Sequence, residues 1–256
     1  YGVTVFLRET VPGADGETKR RKYRGTVSRH FHRSEDHFAQ SQDLAGKQIL
    51  ITAGPTYEKL DPVRFIGNYS SGKMGLALAE ACARRGAKVT LVCGPVQGHT
   101  EHPSVHRIDV ESAEEMYAAS TSLFGKMDAA ILCAAVADFT PAHTAENKIK
   151  REGNGLTIQL KPTRDIAEAL GKMKREGQIL VGFALETHDE TAHAKDKLAR
   201  KNLDFIVLNS LNDKGAGFRH DTNKITIISP TEEIPYPLKN KTEVAEDIIN
   251  RLAASF

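Results

Sequence analysis

The sequence predicts an α/β protein: a Rossmann-like parallel sheet flanked by helices, with an additional β-rich, lid-like region in the second half. Three observations carry that expectation. From Asp43 onward, short β-rich runs alternate with segments of helical spacing. The run at 128–139 is apolar almost throughout, as in a strand covered on both faces. Glycine and proline then break the chain between elements, and a strand–helix–strand repeat within one sheet requires right-handed crossovers.

In chain order, residues 1–42 read as a separate basic extension. "VTVFLRET" alternates like a strand, "VPGADGE" supplies turn residues and "RKYRGTVSRHF" returns as a second strand, giving a hairpin. Residues 43–256 read as one domain. "KQILITAG" (47–54) is a β-rich run closed by Gly54-Pro55, and "GLALAEACARRG" (75–86) is a helix stopped by glycine after two arginines. "AKVTLVCGP" (87–95) and "VHRIDV" (105–110) are the next strands. Ser112, with Glu115 three residues later, makes a capping box, so a helix begins there. "DAAILCAAVADF" (128–139) is the buried strand. The second half continues with "LTIQL" (156–160), a helix near 165–175, "QILVGFALET" (178–187), a charged helix over 189–202, "LDFIVLNS" (203–210), "KITIIS" (224–229) and a last helix over 241–254.

Composition narrows the function classes. With 40% hydrophobic and 27% charged residues, the chain has the makeup of a soluble globular protein. Its longest apolar runs, such as 129–137, fall well short of the ~20 residues that span a bilayer, and Tyr1 heads no signal-like segment. A cytoplasmic protein is expected. Cys82, Cys93 and Cys133 cannot all pair and lack metal-ligand spacing, so they read as free, buried thiols in a reducing compartment. The acid-free run "KRRKYRGTVSRHFHR" (19–33) suits a solvated face or an anionic partner; the first is the commoner case, and nucleic acid is not the expected ligand. His30, His32 and His37 match no zinc pattern.

"FIGNYSSGKMG" (65–75) nearly spells a Walker loop, with Gly67, Gly72 and Lys73 in register but Met74 where a hydroxyl should hold Mg²⁺. About eighteen residues also separate it from the preceding strand, so it is no ordinary P-loop. A dinucleotide fingerprint fails as well, because the turn after the first strand reads "TAGPTYEKLDP". The local chemistry still suits phosphate: Ser70 and Ser71 to cap a helix, Gly72 for close backbone approach, a positive helix end and Lys73. A merely well-capped, closely packed helix start fits the same residues. In the second cluster, Asp138 ends the "AAVADF" strand, where parallel sheets bind ligands. Lys148 and Lys150 then bracket Ile149 in a glycine-containing loop, and they read either as the face of an edge strand or as a lid placing cations over phosphates.

Taken together, "ITAGPTYEKLDPVRFIGNYSSGKMGLALAEACARRGAKVTLVCGPV" (51–96), "CAAVADF" (133–139), "ENKIKR" (146–151), "LVGFALET" (180–187) and "ARKNLDFIVLN" (199–209) resemble the phosphopantothenoylcysteine synthetase family, also called phosphopantothenate:cysteine ligases, from about residue 46 to the end. The resemblance implies coenzyme A biosynthesis: 4′-phosphopantothenate and L-cysteine are joined through an acyl-cytidylate formed from CTP, with Mg²⁺ on the triphosphate and no flavin in this chain. ATP serves the eukaryotic members, whose string differs here. It implies catalytic roles for Asn68, Lys148 and Arg64. Nucleotide or phosphate contacts follow for Gly54, Ser70, Ser71, Gly72, Lys73, Ala134, Ala135, Asp138, Lys150 and Phe183, with Asp138 also a candidate metal ligand. Family members are homodimers with sites near the interface, and bacterial ones are commonly fused to a phosphopantothenoylcysteine decarboxylase. The basic extension has no counterpart in the family pattern. A nicotinamide or flavin oxidoreductase on the same fold is the alternative; it would need a pyrophosphate turn after the first strand, and "AGPT" is a poor one.

Overall fold

The computed structural model describes residues 8–12, 18–22, 41–151, 153, 155–186, 190–210 and 220–256, and it divides the chain into two units, 1–41 and 42–256. In the first unit, strands β1 (Arg8–Pro12) and β2 (Thr18–Lys22) pair antiparallel, with Arg8 opposite Lys22 and Val11 opposite Lys19. The second strand of this pair lies earlier than the sequence expectation of 21–31, and the residues that join the two strands lie outside the described residues. Most of the basic run and the three extension histidines lie outside the described residues.

The second unit is built on β3 (Gln48–Ala53), whose alternation decides how the sheet is covered. Ile49, Ile51 and Ala53 enter one apolar core while Leu50 enters the other. After β3 come two short antiparallel strands, β4 (Glu58–Lys59) and β5 (Phe65–Ile66), then helix α1 (Lys73–Arg84) and strands β6 (Lys88–Cys93) and β7 (Val105–Asp109). Helix α2 (Ala113–Phe124) begins on the Ser112–Glu115 capping box that the sequence announces. β8 (Ala129–Leu132) follows, then the antiparallel pair β9 (Phe139–Pro141) and β10 (Leu160–Pro162), helix α3 (Ile166–Met173), β11 (Ile179–Glu186), helix α4 (Glu190–Arg200) and β12 (Phe205–Ser210). The chain ends with β13 (Thr222–Asn223), β14 (Ile225–Ile228), β15 (Glu233–Pro235), β16 (Lys239–Asn240) and helix α5 (Lys241–Ala253).

Eight strands form one sheet in the order β15-β14-β12-β11-β8-β3-β6-β7. The six from β12 to β7 are parallel, and β14 and β15 extend the edge antiparallel. α1 and α5 cover one face around Leu78, Cys82, Ile248 and Leu252; α2, α3 and α4 cover the other around Met116, Phe124, Leu170 and Leu198. Each such side chain contributes on the order of 1.5–3 kcal/mol on burial. β3 lies between β6 and β8, so the chain winds outward from it in both directions. The helices that follow β3 and β8, α1 and α3, therefore lie on opposite faces of the sheet, and the carboxyl ends of these two strands are where a parallel sheet of this kind places its ligand crevice.

Two boundaries differ from the sequence reading. The apolar run 128–139 is not one strand: β8 stops at Leu132, and the residues after it turn to meet the loop beyond β3, where Pro55 bridges Ala135. The expected strand 156–160 is confined to Leu160–Pro162, with Leu156 and Ile158 exposed. Periodicity cannot separate residues buried within a sheet from residues lining a crevice beside it.

Candidate active site

The crevice is held open by a backbone splice. Ala135 donates its N–H to the Gly54 carbonyl (2.9 Å), and Ala134 and Ala137 donate to the hydroxyls of Thr52 and Thr56 (3.2 and 3.0 Å). The N–H groups of Ala134 and Ala135 are thus spent inside the fold, which leaves the carbonyls of this segment and the shape of its backbone for any ligand contact. Asn68 locks onto the same segment: its Nδ2 donates to the Ala135 carbonyl (2.7 Å), while its Oδ1 accepts from the Ser70 N–H (3.0 Å). An amide carries two N–H hydrogens, so the second stays geometrically available to a ligand.

Asn68, Ser70, Ser71, Gly72, Lys73, Ala134, Ala135, Asp138 and Phe183 all line one cavity of about 380 Å³. The sequence expectation that Ser70 and Ser71 cap α1 is corrected. Gly72 is the N-cap, in the left-handed region at φ 72°; no side chain caps the helix, and its first turn holds no acidic residue. Ser70 Oγ instead accepts from the Gly72 N–H (3.4 Å). α1 therefore presents its amides and the positive end of its dipole to the cavity without a resident carboxylate. Gly72 is required twice over, because a Cβ there would also meet Val96 Cγ1 at 2.7 Å. Lys73 reaches across to Asp221 (Nζ to Oδ1, 2.6 Å), which holds that carboxyl below its usual range.

Three further residues line this wall without a local motif to announce them: Asn209, Asn223 and Lys241. The signal available for Lys241 is a lysine directly after the N-cap of a helix, where the dipole disfavours cations. Cys133 also borders the cavity, but burial pushes its thiol up to about 12, so it is no thiolate nucleophile at neutral pH.

Arg64, Lys148 and Lys150 are arranged differently. Arg64 does not face the cavity: its guanidinium grips the Asp61 carboxylate (Nε to Oδ2, 2.9 Å) and the Ile149 carbonyl (2.7 Å). The Ile149 N–H donates to Asp61 Oδ2 (3.1 Å), so both backbone groups of Ile149 are pinned to the 61–64 turn. Lys148 and Lys150 flank this anchor and are exposed; neither lines the Asn68 cavity of its own chain. Gly54 shapes the crevice from below, through the carbonyl that receives Ala135.

A larger cavity of about 580 Å³ lies between 111–115 and 140–144. None of the predicted residues lines it, and its four glutamates, Glu58, Glu111, Glu114 and Glu115, are matched by only three cations, Lys59, Lys161 and Arg164, two of them already ion-paired to Glu111 and Glu114, so it gathers no excess positive charge for a triphosphate. A third, of about 300 Å³, shares Ala134, Val136, Asp138 and Phe183 with the Asn68 cavity. Among the described residues, no three His, Cys, Asp or Glu side chains are grouped to hold a metal ion. Asp138 is the carboxylate that lines the Asn68 cavity, and a carboxylate oxygen is the donor type a divalent cation such as Mg²⁺ takes. No helix among the described residues is long and apolar enough to cross a membrane.

Comparison with known proteins matches residues 44–256 to the family described as DNA/pantothenate metabolism flavoprotein C-terminal domain. A protein from an unknown prokaryotic organism, named cysteine/cysteine sulfinic acid decarboxylase, is 58% identical over 82% of this chain and 58% of its own length. The coenzyme A biosynthesis bifunctional protein CoaBC of Bacillus subtilis is 46% identical over 86% of this chain and 55% of its own. The chain thus spans little more than half the length of these relatives. A crystal structure of the C-terminal domain of a CoaBC protein superposes with a TM-score of 0.71 at 40% identity, covering 84% of this chain and 97% of that one.

Proposed function

The chain belongs to the DNA/pantothenate metabolism flavoprotein C-terminal domain family, and from that premise we propose that it is a phosphopantothenate–cysteine ligase of coenzyme A biosynthesis, driven by CTP. The observation that carries the proposal is the convergence of Asn68, Ser70–Lys73, Asp138 and Phe183 on one cavity at the topological switch point, beneath an uncapped helix start. Amides, hydroxyls and a lysine at such a helix start support a phosphate-bearing ligand. The site offers no hydride acceptor's pyrophosphate turn, which disfavours the oxidoreductase alternative.

In the first step the carboxylate of 4′-phosphopantothenate attacks the α-phosphorus of CTP; the bond to the β-phosphate oxygen breaks and pyrophosphate leaves. The amides of residues 73–75, the Lys73 ammonium and the serine hydroxyls take phosphate oxygens and oppose the charge moving onto the leaving group. Asp138 is the carboxylate that would hold a Mg²⁺ carried by the nucleotide, whose charge would offset that of the triphosphate. In the second step the cysteine amine attacks the acyl carbon and CMP departs. The second Nδ2 hydrogen of Asn68 then donates to the oxygen that gains charge, its amide fixed by Ala135 and Ser70.

Lys148, required by this reading in the first step, comes from a second copy of the chain. Val63, Phe65, Tyr69, Phe139, Leu156 and Leu160 are exposed apolar residues on the segments that carry Asn68 and Lys148, as a self-complementary dimer face would require. The activity belongs in the cytoplasm, and a phosphopantothenoylcysteine decarboxylase, covalently or physically attached, is the expected consumer of the product. The decarboxylase name of the 58% relative is compatible, since this chain spans only part of that protein.

The test is direct: 4′-phosphopantothenate, L-cysteine and Mg²⁺ with CTP or ATP, following pyrophosphate and the coupled product. CTP-dependent release of pyrophosphate is expected. No turnover with either nucleotide overturns the proposal, and equal or better turnover with ATP overturns its nucleotide assignment.

A further inference from the structure

Lys73 and Lys241 occupy the first positions of α1 and α5, two helices that share one face of the sheet, and both line the cavity. A cation there faces the positive end of a helix dipole, so each placement is locally unfavourable. The chain makes that choice twice, and at Lys241 it also buries the amine: the residue is only 8% exposed, with Nζ donating to the His220 carbonyl (2.6 Å) and its own N–H to the Asp221 carbonyl (2.9 Å). Asp221 sits between the two lysines, but its carboxylate is 80% exposed and already meets Lys73. Burial, then the charge of Lys73, push the Lys241 amine below its usual range, while Asp221 and Cys133 oppose the shift. Two amines thus stand on one wall of the cavity.

A second observation comes from Asn223, 3% exposed on the same wall. Its Nδ2 donates to Asn209 Oδ1 (3.1 Å), yet its Oδ1 has no hydrogen-bond partner among the described residues. A buried acceptor left unmade is costly, and one bordering a cavity is satisfied when a ligand supplies the hydrogen. Phosphate oxygens are acceptors, so a bare polyphosphate cannot supply it. A phosphate ester that carries a neighbouring hydroxyl or amide N–H can.

We propose that Lys241 and Asn223 form a substrate-binding pair, Lys241 taking an anionic oxygen of a phosphate ester and Asn223 the hydrogen of a hydroxyl or amide beside it. This rests on the ligase reading, and two substrates of that reaction have the required chemistry: the nucleotide and 4′-phosphopantothenate.

Calorimetric titration of the full chain with CTP, with 4′-phosphopantothenate and with inorganic tripolyphosphate, each alone, separates the sources. Lys241→Gln is expected to weaken one of the two esters by about tenfold or more, whereas Lys241→Arg, which keeps the charge, retains most of the affinity. Asn223→Ala is expected to weaken that same ester and leave tripolyphosphate unchanged. A third readout needs no variant to bind or fold normally: in the wild type, the ¹⁵Nζ resonance of Lys241 should move when that ester is added. Unaltered affinities in Lys241→Gln, or a stationary Lys241 resonance at saturating ester, overturn the inference. Binding as described without turnover sinks the ligase reading instead, so the two failures are distinguishable.

Discussion

Asp61 is a small residue with a long reach. Its buried carboxylate accepts from the N–H groups of Val63, Arg64 and Ile149 and from the Arg64 guanidinium, joining the turn before Asn68 to the segment that carries Lys148. The Arg64 hydrogen bond, against the opposing effect of burial and aided by the backbone donors, holds this carboxyl well below the usual carboxylate range. A depressed pKa means the contribution is complete above the ordinary carboxylate value of about 4 and is lost only as pH falls through the lower folded value. The tether should therefore hold through mildly acidic conditions and fail in strong acid. Asp61→Ala should remove that acid resistance, with faster hydrogen exchange at Ile149 and proteolytic cutting near 143–151 at neutral pH. For Asn68→Ala, loss of an oxyanion donor should slow product formation by about 100-fold while acyl-cytidylate accumulates, detected by quenching and mass analysis. Asn68 and Ser70–Lys73 were legible in the sequence because the chemistry is written in one contiguous string. Lys241, Asn209 and Asn223 were not, since they meet that string only through the sheet.

Among elements, α1 shows why the motif needs its last glycine as well. At Gly75 an added Cβ would lie 2.5 Å from Ala53 Cβ and 3.1 Å from its Cα, so the helix start rests directly on the end of β3. Gly75→Ala should push the two apart, at about 1–3 kcal/mol, read as a lowered urea midpoint with an unchanged slope. The displacement also moves the amides of the cradle, so nucleotide affinity should fall with it. The alternation from β3 to β8, the α2 capping box and the parallel sheet were all readable from local pattern. The premature end of β8 was not, because the 133–137 segment stays apolar while its backbone leaves the sheet to bond Gly54, Thr52 and Thr56. The start of α1 at Lys73 was likewise hidden: helix propensity favours the alanine-rich stretch from Gly75, while the N-cap is the left-handed Gly72, whose lack of a side chain leaves room for Val96, a residue beyond β6.

At the scale of the whole molecule, a single chain leaves the proposed reaction incomplete, since Lys148 is exposed and absent from the cavity that holds Lys73. If two copies complete each other, Lys73→Ala and Lys148→Ala damage the same step from different chains. Each variant alone should release pyrophosphate at least about 100-fold more slowly than wild type. Mixed and allowed to exchange, about half of the dimers should pair one variant with the other, and each such dimer contains one intact site and one doubly damaged site. Recovery should then approach about a quarter of the wild-type rate. Choosing two variants blocked before acyl-nucleotide formation removes the trivial route, in which an intermediate made by one enzyme diffuses to another. Sedimentation must show dimers in the same samples, and Phe139→Asp, which places a charge on the exposed apolar face, should reduce dimerisation and recovery together. Dimers that exchange without recovering activity would mean that Lys148 serves its own chain or serves no site at all.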